Sequence, residues 1–384
     1  MLSTLAVRGY RSLRDVVLRL GPLTVVPGAN GTEKSSLYPA FGLLADAAGR
    51  LVGSLTRDGG LTSVLWAGPE TVSGAMRRGE VPVEGTARRR APVSLTLGFA
   101  TDALGYLIDV GLPVLGAPTM FFRDPEIKRE EVFGAPELRP ASALVERSRS
   151  TVRVRADAGW SDLGWRLPPH AGLLDELSDP LAYPDVAAVR AEALSWRFYD
   201  TFRDAAAPAR QPVVGTRTEV LAADGSDLPA AVQTILESAW AGPFNEAIAD
   251  AFGGEIRVEE GLGRFQLLMR QPGMLRELAA SEWSDGTLRY VLMAAALLGP
   301  RAPGLLVLNE PEASFHPEVL PALGRLIAGA ADRTQVVVVT HSEALVRSLA
   351  GGATVEHELV KELGETRVAG QGLLTRPAWN WGAR

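Results

Sequence analysis

Cysteine is absent from the 384 residues, which excludes disulfides, thiolate zinc sites and cysteine nucleophiles. Histidine occurs only at His170, His316, His341 and His357, too widely spaced for a histidine-rich metal cluster. Lysine is scarcer still, at Lys34, Lys128 and Lys361, so arginine carries nearly all of the positive charge. A net charge of −6 leaves no general basic coat for nucleic acid, although local basic patches remain open. No basic start followed by an apolar run marks a secretory leader. The longest apolar stretch, Val291–Leu298, falls far short of the roughly 20 residues of a membrane helix. These absences predict a soluble, cytoplasmic chain with no membrane partner. The apolar fraction of 46% and charged fraction of 22% are near the globular average, so a packed core is expected.

Against that background, the two ends of the chain carry the strongest pattern. Leu2–Val7, Val16–Leu20 and the β-branched run Leu23–Val26 read as strands, and Ser35–Leu44 as a helix after a glycine-bearing loop. In the C-terminal third, helices at 288–298, 317–331 and 343–349 alternate with buried strands at 305–308 and 335–339. Two hairpin-like strands around Val355 and Val368 follow. Such alternation predicts an α/β fold with a mostly parallel sheet covered on both faces. Residues 51–207 differ in texture, with strands near 93–100, 106–110 and 151–156, scattered Pro and Gly, and a helix at 184–194. The expected organisation is therefore a discontinuous domain of residues 1–50 and 208–384, with 51–207 an inserted β-rich lobe.

Gly28-Ala29-Asn30-Gly31-Thr32-Glu33-Lys34-Ser35-Ser36 fits Gly-x-x-x-x-Gly-Lys-Ser with one mismatch, Glu33 for the second glycine. In such a loop backbone N–H groups wrap a β-phosphate, Lys34 spans the β- and γ-phosphates, and Ser35 ligates Mg²⁺. The plainer reading is a polar turn before a helix. Downstream, Leu305–Leu308 runs into Asn309-Glu310-Pro311-Glu312, placing acids at the C-terminal edge of a buried strand, where nucleotide sites sit in open α/β sheets. An acid there can orient a water and accept its proton. Ser284, Asp285, Gly286 and Thr287 stand at a helix start that can bind an anion. Thr340-His341-Ser342 closes the second buried strand. Each piece alone has a bland account, as a surface acid, a helix cap or a capping histidine; their order along the chain argues for one site.

Gly28–Ser36, Trp283–Arg289, Leu305–His316 and Thr340–Ser342 together resemble the ATP-binding cassette ATPases of the SMC/RecF type. Within them they resemble the predicted AAA-type ATPase group whose signature reads Leu-Ser-Asp-Gly-Thr-Leu-Arg. Ala222–Leu228 is similar to that group's Asp-Gly-Ser-Asn-Leu segment, with Asp227 for Asn. The resemblance implies a P-loop NTPase fold of the ABC/SMC head type that binds ATP and Mg²⁺. It makes Gly28 to Ser36 the Walker A loop, Asn309 the occupant of the Walker B acid position beside the metal, and Glu310 the catalytic base. It makes His341 the switch histidine that senses the γ-phosphate, and Ala313 and Ser314 part of the D-loop. Ser284, Asp285, Gly286 and Thr287 would then cap the ATP of a second protomer, giving an ATP-gated homodimer acting in DNA repair or phage defence. The alternative is a scaffold or nucleotide sensor that has lost turnover and works by protein interaction with an effector. Arg77-Arg78, Arg88-Arg89-Arg90, Arg147, Arg149, Arg153 and Arg155 are candidate DNA phosphate contacts in the lobe, or else a solvated hairpin face. No Toprim nuclease module and no long heptad arm is legible.

Two departures fall on the chemistry, and they make the Walker A and Walker B motifs degenerate. Glu33 brings a Cβ and a charge to a position reserved for glycine. At ~6 Å and an effective dielectric of about 20, its carboxylate and one phosphate charge repel by roughly 3 kcal/mol, a hundredfold in affinity. Asn309 keeps the size of the usual Asp but not its charge. Read as independent lesions, Glu33→Gly and Asn309→Asp should each help and their effects should add. The alternative is compensation, with Glu33 reaching the Mg²⁺ waters in place of the missing Asp. ATP is expected to bind in the high micromolar range or weaker, and Lys34→Ala to abolish what remains. Calorimetry giving sub-micromolar ATP affinity for the parent protein would sink the repulsion argument.

Overall fold

A computed structural model of the protein describes residues 1–28, 36–83, 93–114, 119–157, 159–200, 202, 206–372 and 374–382. The chain packs into two compact units, one of Met1–Leu20, Gly28–Ser195 and His357–Arg384, the other of Gly21–Pro27 and Trp196–Glu356. These limits differ from the sequence boundaries at 50/51 and 207/208.

The second unit is built on a five-stranded sheet in the order Arg197–Asp200, Leu305–Asn309, Gln335–Thr340, Leu23–Pro27, Thr354–Glu356. Every neighbouring pair in it is parallel. The central strands Leu-Leu-Val-Leu-Asn and Gln-Val-Val-Val-Val-Thr are buried along their whole length, as parallel strands covered on both faces must be. The covering helices follow from their sequences. Asp285–Leu298 is apolar nearly all round and correspondingly buried. Ala241–Phe252 stops at Gly253, which takes the left-handed conformation (φ 64°) of a helix C-cap. Gly324 lets helix Leu320–Ala330 approach helix Glu343–Leu349: a Cβ there would lie 2.2 Å from the Ser348 hydroxyl. The expected single helix over 317–331 is a 3₁₀ turn, Pro317–Val319, followed by that α-helix. The strand at Val355 joins this parallel sheet rather than a hairpin.

The first unit holds the largest sheet, and it is antiparallel, which corrects the expectation of a mostly parallel architecture. Its eight strands run Leu13–Arg19, Leu2–Tyr10, Leu95–Thr101, Leu104–Gly111, Glu126–Gly134, Ala143–Ser148, Thr151–Ala156, Gly159–Arg166. The N-terminal hairpin extends the β-rich segment because Leu5, Val7 and their neighbours pair with Phe99 and Leu97. The true C-terminal hairpin is Leu359–Glu362 with Glu365–Val368. Its two-residue turn, Leu363-Gly364, has φ 50° and 81°, matching the twist of the strands it joins. Among the described residues no helix is long and apolar enough to cross a membrane.

The lobe's arginines are largely committed to the protein itself. Arg147 is fully buried against a fully buried Glu130, with guanidinium to carboxylate 2.6 Å. It also donates to the carbonyls of Arg149, Pro168 and Ala171. Glu130 further accepts from the Tyr106 hydroxyl at 2.6 Å and from the Leu173 N–H at 2.9 Å. Burial pushes the Glu130 carboxyl above the ordinary carboxylate range, while Arg147 and Tyr106 act against it. Arg147 is thus no phosphate contact, a correction to the sequence reading. Arg77 pairs with Glu362, Arg78 with Glu80, and Arg153 with Glu146, while Arg153 and Arg155 lie over Trp160. Arg88, Arg89 and Arg90 lie outside the described residues. Removing one member of a buried ion pair strands the other charge, so Arg147→Ala should cost about 3–5 kcal/mol in denaturant unfolding. A loss under about 1 kcal/mol would contradict this account of the lobe's core.

Candidate functional site

The C-terminal ends of the parallel strands present one row of residues in register: Asp200, Asn309, Val339 and Val26. Neighbouring members stand about 4.8 Å apart, the spacing of paired strands. This is the edge of a parallel sheet at which ligands bind.

Past Asn309 the chain turns sharply at Glu310, whose φ of 47° is left-handed, a strained choice for a residue with a Cβ. Its N–H donates to the Val339 carbonyl at 2.8 Å, and its own carbonyl accepts from the Ala313 N–H at 2.9 Å, which fixes the turn. The Glu310 carboxylate lies 3.7 Å from His341 Nδ1. Glu312 comes nearer, with Oε1 3.2 Å from the same nitrogen. That oxygen also accepts from the Thr340 hydroxyl (2.6 Å) and from the N–H groups of His341 (3.0 Å) and Ser342 (3.2 Å). Glu312 is 6% exposed and ties the Glu310 turn to the end of the adjacent strand. Ser342 then caps the next helix through its hydroxyl, which accepts from the Leu345 N–H. The structure therefore brings Glu310 and His341 together, with Glu312 between them. Sequence reasoning quoted Glu312 but gave it no role, because its donors lie 28 to 30 residues further along.

Asn309 is not simply an acid that lost its charge. Its Nδ2 donates to Asp200 Oδ1 at 2.9 Å, and its Oδ1 is buried and accepts no hydrogen bond from the described residues. This contact counts against the expectation that Asn309→Asp alone would help. It would set two carboxylates about 3 Å apart, a repulsion of roughly 5 kcal/mol at an effective dielectric of about 20. Asp200 was missed because Arg197–Asp200 is a four-residue strand inside the segment assigned to the lobe. The only signal for it was the Phe198-Tyr199 pair ahead of an acid. The neighbouring Tyr199 hydroxyl donates to the Leu221 carbonyl at 2.8 Å, and burial raises its pKa.

Ser284 caps helix Asp285–Leu298, its hydroxyl accepting from the Thr287 N–H at 3.1 Å. Gly286 faces the turn after Glu310: a Cβ on it would stand 3.5 Å from the Ser314 carbonyl. Arg210, unforeseen from sequence, clamps the approach to this helix. Its guanidinium donates to the carbonyls of Ala280 and Trp283 at 2.8 and 2.7 Å and to Asp285 Oδ1 at 2.7 Å. The cation offsets the Asp285 carboxylate, so the helix mouth keeps the partial positive charge of its exposed N–H groups. In the Ala222–Leu228 segment, Asp227 accepts from the Ala222 N–H, and burial raises its pKa.

Of the glycine-bearing loop, Gly28 bridges to Leu359, and Ser36 is buried at the start of helix Leu37–Asp46. Ala29, Asn30, Gly31, Thr32, Glu33, Lys34 and Ser35 lie outside the described residues, as does any compensation by Glu33. Among the described residues no group of three or more His, Cys, Asp or Glu side chains could hold a metal ion. The all-oxygen donors at the strand row, with the orphaned Asn309 Oδ1, suit a hard cation that keeps waters and takes phosphate ligands, as Mg²⁺ does.

Residues 23–347 match the family described as "AAA domain, putative AbiEii toxin, Type IV TA system". Among solved structures the chain is similar to an SMC head bound to the C-terminal winged-helix domain of ScpA, at 13% identity and TM-score 0.52, covering 97% of this chain and 98% of that one. It also aligns with the SMC head domain from Thermotoga maritima, at 16% identity and TM-score 0.46, covering 97% and 99%. The first likeness shows an SMC-head-like α/β fold. No curated protein sequence matches the chain.

Because Glu312 satisfies one hydroxyl and two N–H groups at once, Glu312→Ala should destabilise the protein by about 1–3 kcal/mol, while Glu312→Gln, which keeps an acceptor oxygen, should lose less. Urea unfolding midpoints at unchanged slope would measure both, and equal losses would refute the acceptor role.

Proposed function

The chain belongs to the AAA-domain family matched over residues 23–347, and from that membership we propose that it is an ATP-binding switch that hydrolyses ATP slowly as a nucleotide-gated dimer. The observation that carries this reading is the meeting of Glu310 and His341, joined by Glu312, at the C-terminal edge of the parallel sheet. In it, Glu310 orients the attacking water and takes its proton, and His341 senses the γ-phosphate. Lys34 and the N–H groups of the loop from Gly28 to Ser36 bind the triphosphate. Ser35 and, through water, Asn309 would hold Mg²⁺, which when bound neutralises charge on the phosphate oxygens.

Ser284 to Thr287 serve the ATP of a second protomer in this reading. A closed two-fold dimer then buries two nucleotides, and its lifetime follows hydrolysis. The family description, with its toxin system, favours phage defence over DNA repair as the setting. DNA contact through the lobe is the weaker part, since Arg147 is buried and most of its neighbours are paired. Glu33 and Asn309 favour the second reading, a sensor or scaffold without turnover that works through an effector protein.

Sedimentation velocity with Mg-ATP is expected to show a dimer that the nucleotide-free protein does not form. Glu310→Gln should lengthen its life by blocking hydrolysis. The same oligomer with and without saturating nucleotide, in both proteins, would refute the gated dimer. A nucleotide-dependent dimer without phosphate release would select the sensor.

A further inference from the structure

Resting on the nucleotide-binding reading, we propose that Asp200 supplies the negative charge that position 309 lacks, so that Asp200 and Asn309 act as one unit toward the hydrated Mg²⁺ of the bound nucleotide. The pairing of strands Arg197–Asp200 and Leu305–Asn309 puts the two residues directly opposite each other at the carboxyl ends of their strands. The Asn309 amide donates to the Asp200 carboxylate at 2.9 Å, a bond that no carboxylate at 309 could make at neutral pH. That donor assignment also orients the rest of the side chain. Since Nδ2 points at Asp200, Oδ1 points elsewhere, and it is buried with no donor among the described residues.

The unit offers an oxygen from Asn309, 9% exposed, and a carboxylate from Asp200, which lies at the surface. Hard cations take carboxylate and amide oxygens alike, directly or through their waters. The strand that carries Asp200 is also anchored. Tyr199 is buried, its hydroxyl bonds the Leu221 carbonyl, and its ring packs against Phe202 at 5.5 Å. Asp200 therefore sits on a fixed element one strand over from the usual place of the acid. The charge has been moved sideways along the row, and Asn309 is the matching change that lets it stay there.

The test is a charge exchange read by metal binding rather than turnover. The parent protein, Asp200→Asn, Asn309→Asp and the double variant Asp200→Asn/Asn309→Asp are each titrated with Mn²⁺ in the presence of a non-hydrolysable ATP analogue. Free Mn²⁺ is followed by electron paramagnetic resonance, binding of the analogue alone is measured in EDTA, and thermal melting checks folding. Asp200→Asn, a surface change of nearly equal size, should weaken Mn²⁺ binding about 10- to 100-fold without altering analogue binding in EDTA. The double variant should recover most of that loss, because it returns the charge to position 309 and removes the clash. Unchanged Mn²⁺ affinity in Asp200→Asn, or no recovery in the double variant, overturns this inference while leaving the nucleotide reading intact. No analogue binding to the parent protein with or without metal overturns both.

Discussion

Parallel strands can present groups to a common ligand only if their ends are level, and this sheet meets that constraint through register. Asp200, Asn309, Val339 and Val26 share one row, so everything beyond them departs from the same height. Glu312 holds the arrangement from above. Its single oxygen gathers the Thr340 hydroxyl and two successive N–H groups, so the turn after one strand cannot shift without the end of the next. A buried acceptor with three donors is expensive to disturb, which makes the edge a preorganised platform rather than a set of independent loops.

Much of this platform was legible in the sequence. Leu305–Leu308 and Val336–Val339 are short apolar runs of the kind a doubly covered parallel strand carries, and Ser284 and Ser342 announce the helices they cap. What escaped was non-local. The pairing of the N-terminal hairpin with Leu95–Thr101 joins residues some ninety positions apart, and no periodicity encodes it. Asp200 escaped because a four-residue strand has too few positions to show a pattern, and Arg210 because its partners are mostly backbone carbonyls.

Charge in this protein is disposed pairwise. The lobe's arginines looked like a surface for polyanions when counted along the chain, but the fold spends several of them on internal carboxylates and ring faces. Arg147 is the extreme case, a fully buried cation whose partners include three carbonyls as well as Glu130. Arg210 repeats the device at the start of helix Asp285–Leu298, where the cation shields Asp285. A chain with a net charge of −6 can in this way keep local fields without an overall basic character.

The left-handed backbone at Glu310 carries an evolutionary consequence. Glycine would relax that turn by about 1 kcal/mol, and asparagine by part of it, since both tolerate the conformation better than glutamate does. A population of variants selected for thermal endurance alone would therefore drift away from glutamate at this position. Its persistence in a chain under no demand but folding would have no thermodynamic support, so position 310 can serve as a gauge of selection. If Glu310 has the role proposed for it, glutamate held across generations would mark a lineage that still uses the carboxylate, and glycine one that has kept the scaffold and let the chemistry go.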